Sequence, residues 1–279
     1  MRVGQNPNRN EKVQIYAPAV VSAIVHLPQL LTGYHKQRFE VVQLSLETMR
    51  KNAGMECKVM VWDNGSCVAF RSWLLGEYKP DYVVLSENIG KASARAGIVR
   101  MLPPDTIVGV ADDDVFYYPD WLTAQIDLLK HFPNVGQVSG CPIRTQARLG
   151  NKNTLAWAKE NAKLEYLKKI PAEYEMDFCK SIGRDYAFHV NYTAKDYDPI
   201  IRWGGKVAIG TAHHFQFIGY AGVLAPIVSW DIEAMSDEKP FDNAVDAAGY
   251  LRLTTLKRYT RHIGNVMDDD IREEAKRYA

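Results

Sequence analysis

Hydrophobic and polar positions follow two rhythms along the first half of the chain. Short apolar runs bounded by turn formers read as buried strands. Longer stretches with apolar residues every three to four positions read as amphipathic helices. On this basis strands are predicted over 20–25, 58–62, 82–85, 107–111 and 135–139. Helices are predicted over 38–52, 91–101 and 119–131, the first closed by Ala53-Gly54 and the last ending before Pro133. Strands alternating with helices of this length predict an α/β fold with a mostly parallel sheet and helices on both faces. Ligands in such sheets collect beyond the carboxyl ends of the strands.

The second half is less regular. A helix is predicted over 153–170, with Trp157, Leu164, Leu167 and Ile170 near one face. Lys159, Lys163, Lys168 and Lys169 lie elsewhere on it and read as a solvated basic face. Residues 180–235 are rich in aromatics and glycine, and no element is assigned there. No internal repeat or low-complexity linker interrupts the chain.

Composition narrows the class. The chain has 279 residues, 47% of them hydrophobic and 24% charged, which suits a globular protein with a large core. A net charge of +1 gives no global pull toward nucleic acid or membrane. Cys57, Cys67, Cys141 and Cys179 show no CxxC pairing, which speaks against a zinc site. No run is long enough to cross a bilayer. The apolar stretch 16–25 follows basic residues, as in a signal peptide. Pro18 within it and His26-Leu27-Pro28 after it fit a buried first strand better. The expectation is a cytoplasmic protein with at most peripheral membrane contact.

The run 107–111 delivers Asp112, Asp113 and Asp114 to one point. Adjacent carboxylates repel, so a cation is expected among them. A hard divalent cation with oxygen ligands suits them and can carry the phosphates of a nucleotide. Asp268, Asp269 and Asp270 form a second triplet, but they open a helical stretch, where Asp is a good cap and stabilises the helix N-terminus. Asp112, Asp113 and Asp114 instead follow a strand.

Two further segments stand at strand ends. Asp63-Asn64-Gly65-Ser66 follows the second strand, and Glu87-Asn88-Ile89-Gly90-Lys91 follows the third and opens a helix. By itself the first is a turn. In the second, Gly90 permits close backbone approach, the helix start favours an anion, and Lys91 and Arg95 add positive charge.

In this order and spacing, His26-Leu27-Pro28, Asp63-Asn64-Gly65-Ser66, Asn88-Ile89-Gly90 and Asp112-Asp113-Asp114 resemble family 2 glycosyltransferases of the GT-A fold. The resemblance covers the first half of the chain. It implies a nucleoside-diphosphate sugar donor (a UDP- or GDP-sugar) and a divalent cation, Mn2+ or Mg2+. It places His26, Leu27, Pro28, Asp63, Asn88, Gly90, Lys91, Arg95, Asp112 and Asp113 around the donor, with Asp63 on the base. Asp114, Asp112 and a late histidine, His262, are the implied metal ligands, and Arg258 or Arg261 could neutralise the leaving diphosphate. The family also shows an acidic pair before a Gly-Tyr. Here Asp237-Glu238 precedes Gly249-Tyr250, which makes Asp237 or Glu238 the implied catalytic base and leaves Asp242 as a further candidate. The order Asp-Glu followed by Lys239-Pro240 departs from the family's pattern.

His213-His214 has adjacent spacing, which on a strand sends the two rings to opposite faces and disfavours a zinc pair. Trp203 and Trp230-Asp231 read as core packing. Residues 1–145 are expected to bind the nucleotide sugar, and 146–279 to supply the acceptor site and base within the same domain. The acceptor would be a glycan, a lipid-linked glycan or a small molecule. A nucleotidyltransferase and a non-catalytic nucleotide- or glycan-binding module are the alternatives, and the donor motifs leave inversion or retention open.

Overall fold

The computed structural model describes residues 4–5, 7, 10–11, 19–229 and 239–279. Its first half alternates as the apolar pattern requires: β1 (Ala19–Val25), α1 (Arg38–Lys51), β2 (Lys58–Asn64), α2 (Val68–Trp73), β3 (Tyr82–Ser86), α3 (Lys91–Met101), β4 (Ile107–Asp112), β5 (Val115–Tyr117), α4 (Trp121–His131) and β6 (Val135–Ser139). β1 lies between β2 and β4, and β3 follows β2, all parallel. Both faces of β1 are buried. Val21 and Val25 pack in one core with Val42 and Leu46 of α1 and Trp121 of α4. Val20 and Ile24 pack in the other with Ile98 and Val99 of α3. Cover on both sides is why these strands read as continuous apolar runs.

The second half adds α5 (Lys152–Asn161), β7 (Lys163–Leu167), α6 (Ala172–Ser181), α7 (Tyr186–Tyr192), β8 (Asp198–Trp203), β9 (Lys206–Ile209), β10 (Gln216–Tyr220), α8 (Ala221–Leu224), α9 (Lys239–Ala247), β11 (Leu251–Thr255), β12 (Thr260–His262) and α10 (Asp269–Tyr278). Among the described residues, ten strands form one sheet in the order β3-β2-β1-β4-β10-β6-β11-β9-β8-β7. β10, β9 and β7 run against the others, so the sheet is mostly parallel in direction. β10 inserts between β4 and β6 and joins the two halves of the chain in one sheet. β5 and β12 form a separate antiparallel ribbon.

Three sequence expectations change at this level. The helix predicted over 153–170 stops at Asn161. Ala162 is extended, and Lys163–Leu167 pairs with Asp198–Trp203 instead, with Leu164 opposite Ile201. Tertiary pairing there overrides a helical pattern carried by few apolar positions. The helix predicted from 119 begins at Trp121, because Asp120 takes a left-handed conformation (φ +67°). The strand predicted to end at 111 continues through Asp112, whose N–H donates to the Phe215 carbonyl at 2.8 Å.

The acidic triplet near the C-terminus behaves as expected. Asp268 caps α10 by accepting from the Ile271 N–H. Among the described residues no helix is long and apolar enough to cross a membrane. Residues 16–18, Trp230, Asp231, Asp237 and Glu238 lie outside the described residues.

Candidate active site

A cleft of about 250 Å³ opens at the carboxyl ends of β1, β2, β3 and β4. It is lined by Ile24, His26, Arg38, Asn64, Asn88, Gly90, Lys91, Asp112, Asp113 and Asp114. Of the residues expected at the donor, His26, Asn88, Gly90, Lys91, Asp112 and Asp113 line this cleft, and so does Asp114.

The wall beyond β1 and β2 is a closed set of hydrogen bonds. The His26 ring Nδ1 meets the Asn64 carbonyl at 3.0 Å, and the Leu27 N–H donates to Ser66 Oγ at 3.0 Å. Leu27 is buried and Pro28 half-buried, so this segment braces the next turn rather than facing the cleft. Asp63 turns the same way. Its fully buried carboxylate accepts from the Ser66 N–H at 2.7 Å and ion-pairs with Arg71. Asn64 is the member of that turn that faces the cleft. It accepts from the Ile89 N–H at 2.9 Å and donates to Asn88 Oδ1 at 3.1 Å. Gly90, at φ +80° and ψ 158°, occupies backbone space essentially reserved for glycine and lets α3 start at the cleft.

Lys91, the first residue of α3, places its ammonium 2.5 and 2.6 Å from the two oxygens of Asp112. Arg95 is directed elsewhere. It is buried, with its guanidinium 4.8 Å above the Phe241 ring of α9.

Asp113 is buried beside Arg38 and also accepts from the His26 N–H at 3.4 Å. Burial pushes its carboxyl up to about 6 against the pull of Arg38, and Asp114 and Asp112 push it the same way. Arg38 lies 3.6 Å from Asp114 and bonds Asn265 at 2.5 Å. The sequence reading missed Arg38. Its signal is an arginine at the first position of a helix, where a cation opposes the helix dipole.

His262 reaches Asp114 through the β5–β12 ribbon, which pairs His262 with Val115. Its Nε2 lies 3.5 Å from Asp114, and its Nδ1 is 2.8 Å from Ser181 Oγ. Arg258 and Arg261 are engaged away from the cleft with Asp177 and Glu274.

A cation fits this end of β4. Asp114 Oδ1 is buried without a hydrogen-bond partner, and the chemistry of the donors there, carboxylate oxygens with one imidazole, is accepted by Mn2+. Two of the three carboxylates are meanwhile neutralised by Lys91 and Arg38, so among the described residues no ready-made cage of three ligands stands assembled.

On the far side of β4, His213 and His214 precede β10 rather than lying in a strand, so their rings do not go to opposite faces but meet edge to face at 4.9 Å, each with its own partner. His213 is buried with Nε2 3.0 Å from Gln146, and burial pushes its pKa well below the usual histidine value. His214 is partly exposed and bonds Asp242. Asp242 is fully buried between His214 and Arg252.

The sheet order, with carboxylates and a helix start at the edge of its parallel part, is that of the GT-A fold of nucleotide-sugar enzymes. The structure of GalNAc-T7 with UDP, GalNAc and Mn2+ shares it at a TM-score of 0.50 and 11% identity, over 90% of this chain and 44% of that one. The chain belongs to glycosyl transferase family 2, whose model matches residues 34–189, more than half of its length. It is also similar to the mannosyltransferase PcManGT from Pyrobaculum calidifontis in complex with GDP-Man and Mn2+, at 14% identity and a TM-score of 0.49, over 86% of this chain and 55% of that one. The chain thus spans about half the length of these solved structures. No curated protein matches it.

Proposed function

We propose that the chain transfers a sugar from a nucleoside diphosphate, a UDP- or GDP-sugar, to an acceptor hydroxyl on a glycan, a lipid-linked glycan or a small molecule. The observation that carries this reading is the cleft at the carboxyl end of β4, where Asp112, Asp113 and Asp114 meet Lys91 at the start of α3. Asn64, Asn88 and Gly90 line the part of the cleft toward β2 and β3 and suit the nucleoside, and Lys91 is placed to follow the phosphates. Asp63 supports the base-binding turn from behind through Ser66. Arg95, stacked on Phe241, holds α3 against α9.

Asp114, Asp112 and His262 would hold the divalent cation, Mn2+ or Mg2+. When bound, it supplies charge neutralisation for the departing diphosphate. In-line attack by the acceptor oxygen inverts the anomeric carbon. The acceptor's proton needs a base, and Asp237 and Glu238 are the sequence's candidates for it. Residues 1–145 thus serve the donor and 146–279 the acceptor and base. Free cysteines at 57, 67, 141 and 179 agree with a reducing, cytoplasmic setting.

A second reading is a donor site that works without metal, and its observation is the Lys91–Asp112 and Arg38–Asp113 pairing. Thermal unfolding with UDP, GDP, CDP or dTDP, each with and without Mn2+, decides. A ligand that binds the folded state alone raises its stability. Stabilisation by one nucleotide only when Mn2+ is present supports the metal-dependent reading. The same stabilisation without Mn2+ supports the second. No response to any nucleotide overturns both.

A further inference from the structure

The acceptor side of β4 carries a histidine that the donor site does not use. β10 runs antiparallel to β4 with Gln216 opposite Ala111, and the Phe215 carbonyl accepts from the Asp112 N–H at 2.8 Å. His214, the residue before Phe215, therefore lies just beyond this last contact, near the carboxyl end of β4 at Asp112. It lies on the side of β4 opposite β1 and β2, away from the wall built by Asn64 and Asn88.

The orientation of His214 is imposed from behind. Its Nδ1 lies 2.9 Å from Asp242 Oδ2. Asp242 is fully buried, and its other oxygen is 2.5 Å from Nη2 of Arg252. Arg252 is itself fully buried and donates to Gln137 at 2.7 Å and to the Leu149, Gly150 and Ala212 carbonyls at 2.8, 2.7 and 2.7 Å. A carboxylate held against a guanidinium can only accept, so the proton of a neutral His214 belongs on Nδ1. Nε2 then carries a lone pair. The side chain is 21% exposed, whereas neighbouring His213 is buried. A carboxylate behind an imidazole both fixes its tautomer and stabilises the imidazolium formed when it takes a proton.

We propose that His214 is the catalytic base of the transfer, with Asp242 as its positioning residue. The assignment rests on the sugar-transfer reading above. As the acceptor oxygen bonds to the anomeric carbon, its O–H bond breaks and the proton passes to Nε2. The bond from that carbon to the diphosphate breaks, and its electron pair leaves with the diphosphate. The resulting imidazolium faces Asp242.

Water is a usable acceptor while the physiological one is unidentified. The test measures nucleoside diphosphate release from UDP-glucose, UDP-N-acetylglucosamine and GDP-mannose with Mn2+, using the full chain. Loss of a general base lowers turnover by about 10²-fold or more. His214→Ala should show that loss, keep the wild-type donor KM, and regain rate with added imidazole. Asp242→Asn should lower turnover without changing donor KM. Because that variant removes a buried ion-pair partner, His214→Ala is the deciding one.

Wild-type rates in His214→Ala would overturn the proposal. So would imidazole-insensitive loss in that variant, or an equal loss in Asp237→Asn or Glu238→Gln that leaves His214→Ala active. A wild-type chain that binds no nucleoside diphosphate overturns the transfer reading, and this assignment with it. Nucleotide binding with His214-independent turnover overturns this assignment alone.

Discussion

The two sides of β4 are built by different means. Toward β1, β2 and β3, most cleft residues stand at or just past the end of the strand beside them: His26 after β1, Asn64 at the end of β2, Asn88 and Gly90 after β3, with Arg38 reaching in from the start of α1. On the other side, the residues come from distant segments, two of them on or beside antiparallel strands and one on a helix. His262 arrives on β12, His214 on the approach to β10, and Asp242 on α9. The first side is a repeated local unit. The second is a convergence of unrelated segments, and it is held by buried charge.

That difference predicts unequal responses to substitution. The largest is expected at Arg252. Arg252→Met leaves Asp242 buried without its guanidinium, and breaking a buried pair in this way costs about 3–5 kcal/mol. Chemical denaturation measures it. A loss below about 1 kcal/mol, typical of a surface pair, would remove the claim that buried charge holds the β10 side.

At the carboxylates beyond β4 the matching test is Asp114→Ala. Metal-dependent nucleotide affinity should fall about 100-fold, or about 2.7 kcal/mol, in a calorimetric titration with Mn2+. An unchanged affinity would refute the assignment of Asp114 as a ligand. Gly90→Ala comes next. A side chain at φ +80° and ψ 158° costs on the order of 1–3 kcal/mol. The melting temperature should fall and nucleotide binding should weaken together, because α3 starts directly after that residue. A fall in stability with unchanged binding would separate the turn from the site.

The smallest expected effect is the pH response of His213. Burial keeps it neutral in the fold, and the nearby His214, His262, Arg252 and Lys91 push the same way. In the unfolded chain it takes a proton below about pH 6.5. Its contribution to stability is therefore present above that pH and lost as pH falls below it, by at most about 1.4 kcal/mol per pH unit. Melting curves should show the acid side losing stability, and His213→Gln should flatten the slope. An unchanged slope would locate the acid sensitivity elsewhere.

How far the sequence could be read follows the same division. The strands and helices from residue 19 to 139, apart from the short α2 and β5, were legible because each is a local pattern of burial on a repeated unit. Asn88, Gly90, Lys91 and the carboxylates of Asp112, Asp113 and Asp114 were legible because strand ends in such a sheet share one edge. Asp63 against Asn64 was not. The two are the last residues of β2, where side chains alternate between faces, and the Ser66 N–H and Arg71 hold the aspartate inward. The strand 163–167 was missed because its partner, Asp198–Trp203, lies well along the chain and outweighs a helical pattern.

The sequence by itself thus determined the alternating units, the glycine that opens α3 and the acidic point at the end of β4. Only the tertiary structure decided that Arg38 pairs with Asp113, that His262 stands 3.5 Å from Asp114, and that His214 is backed by Asp242 and Arg252. The reason is physical. Periodicity and turn chemistry act between residues close in the chain, where a pattern of burial repeats. An ion pair across the fold instead depends on the order in which strands join the sheet, and no local pattern carries that order.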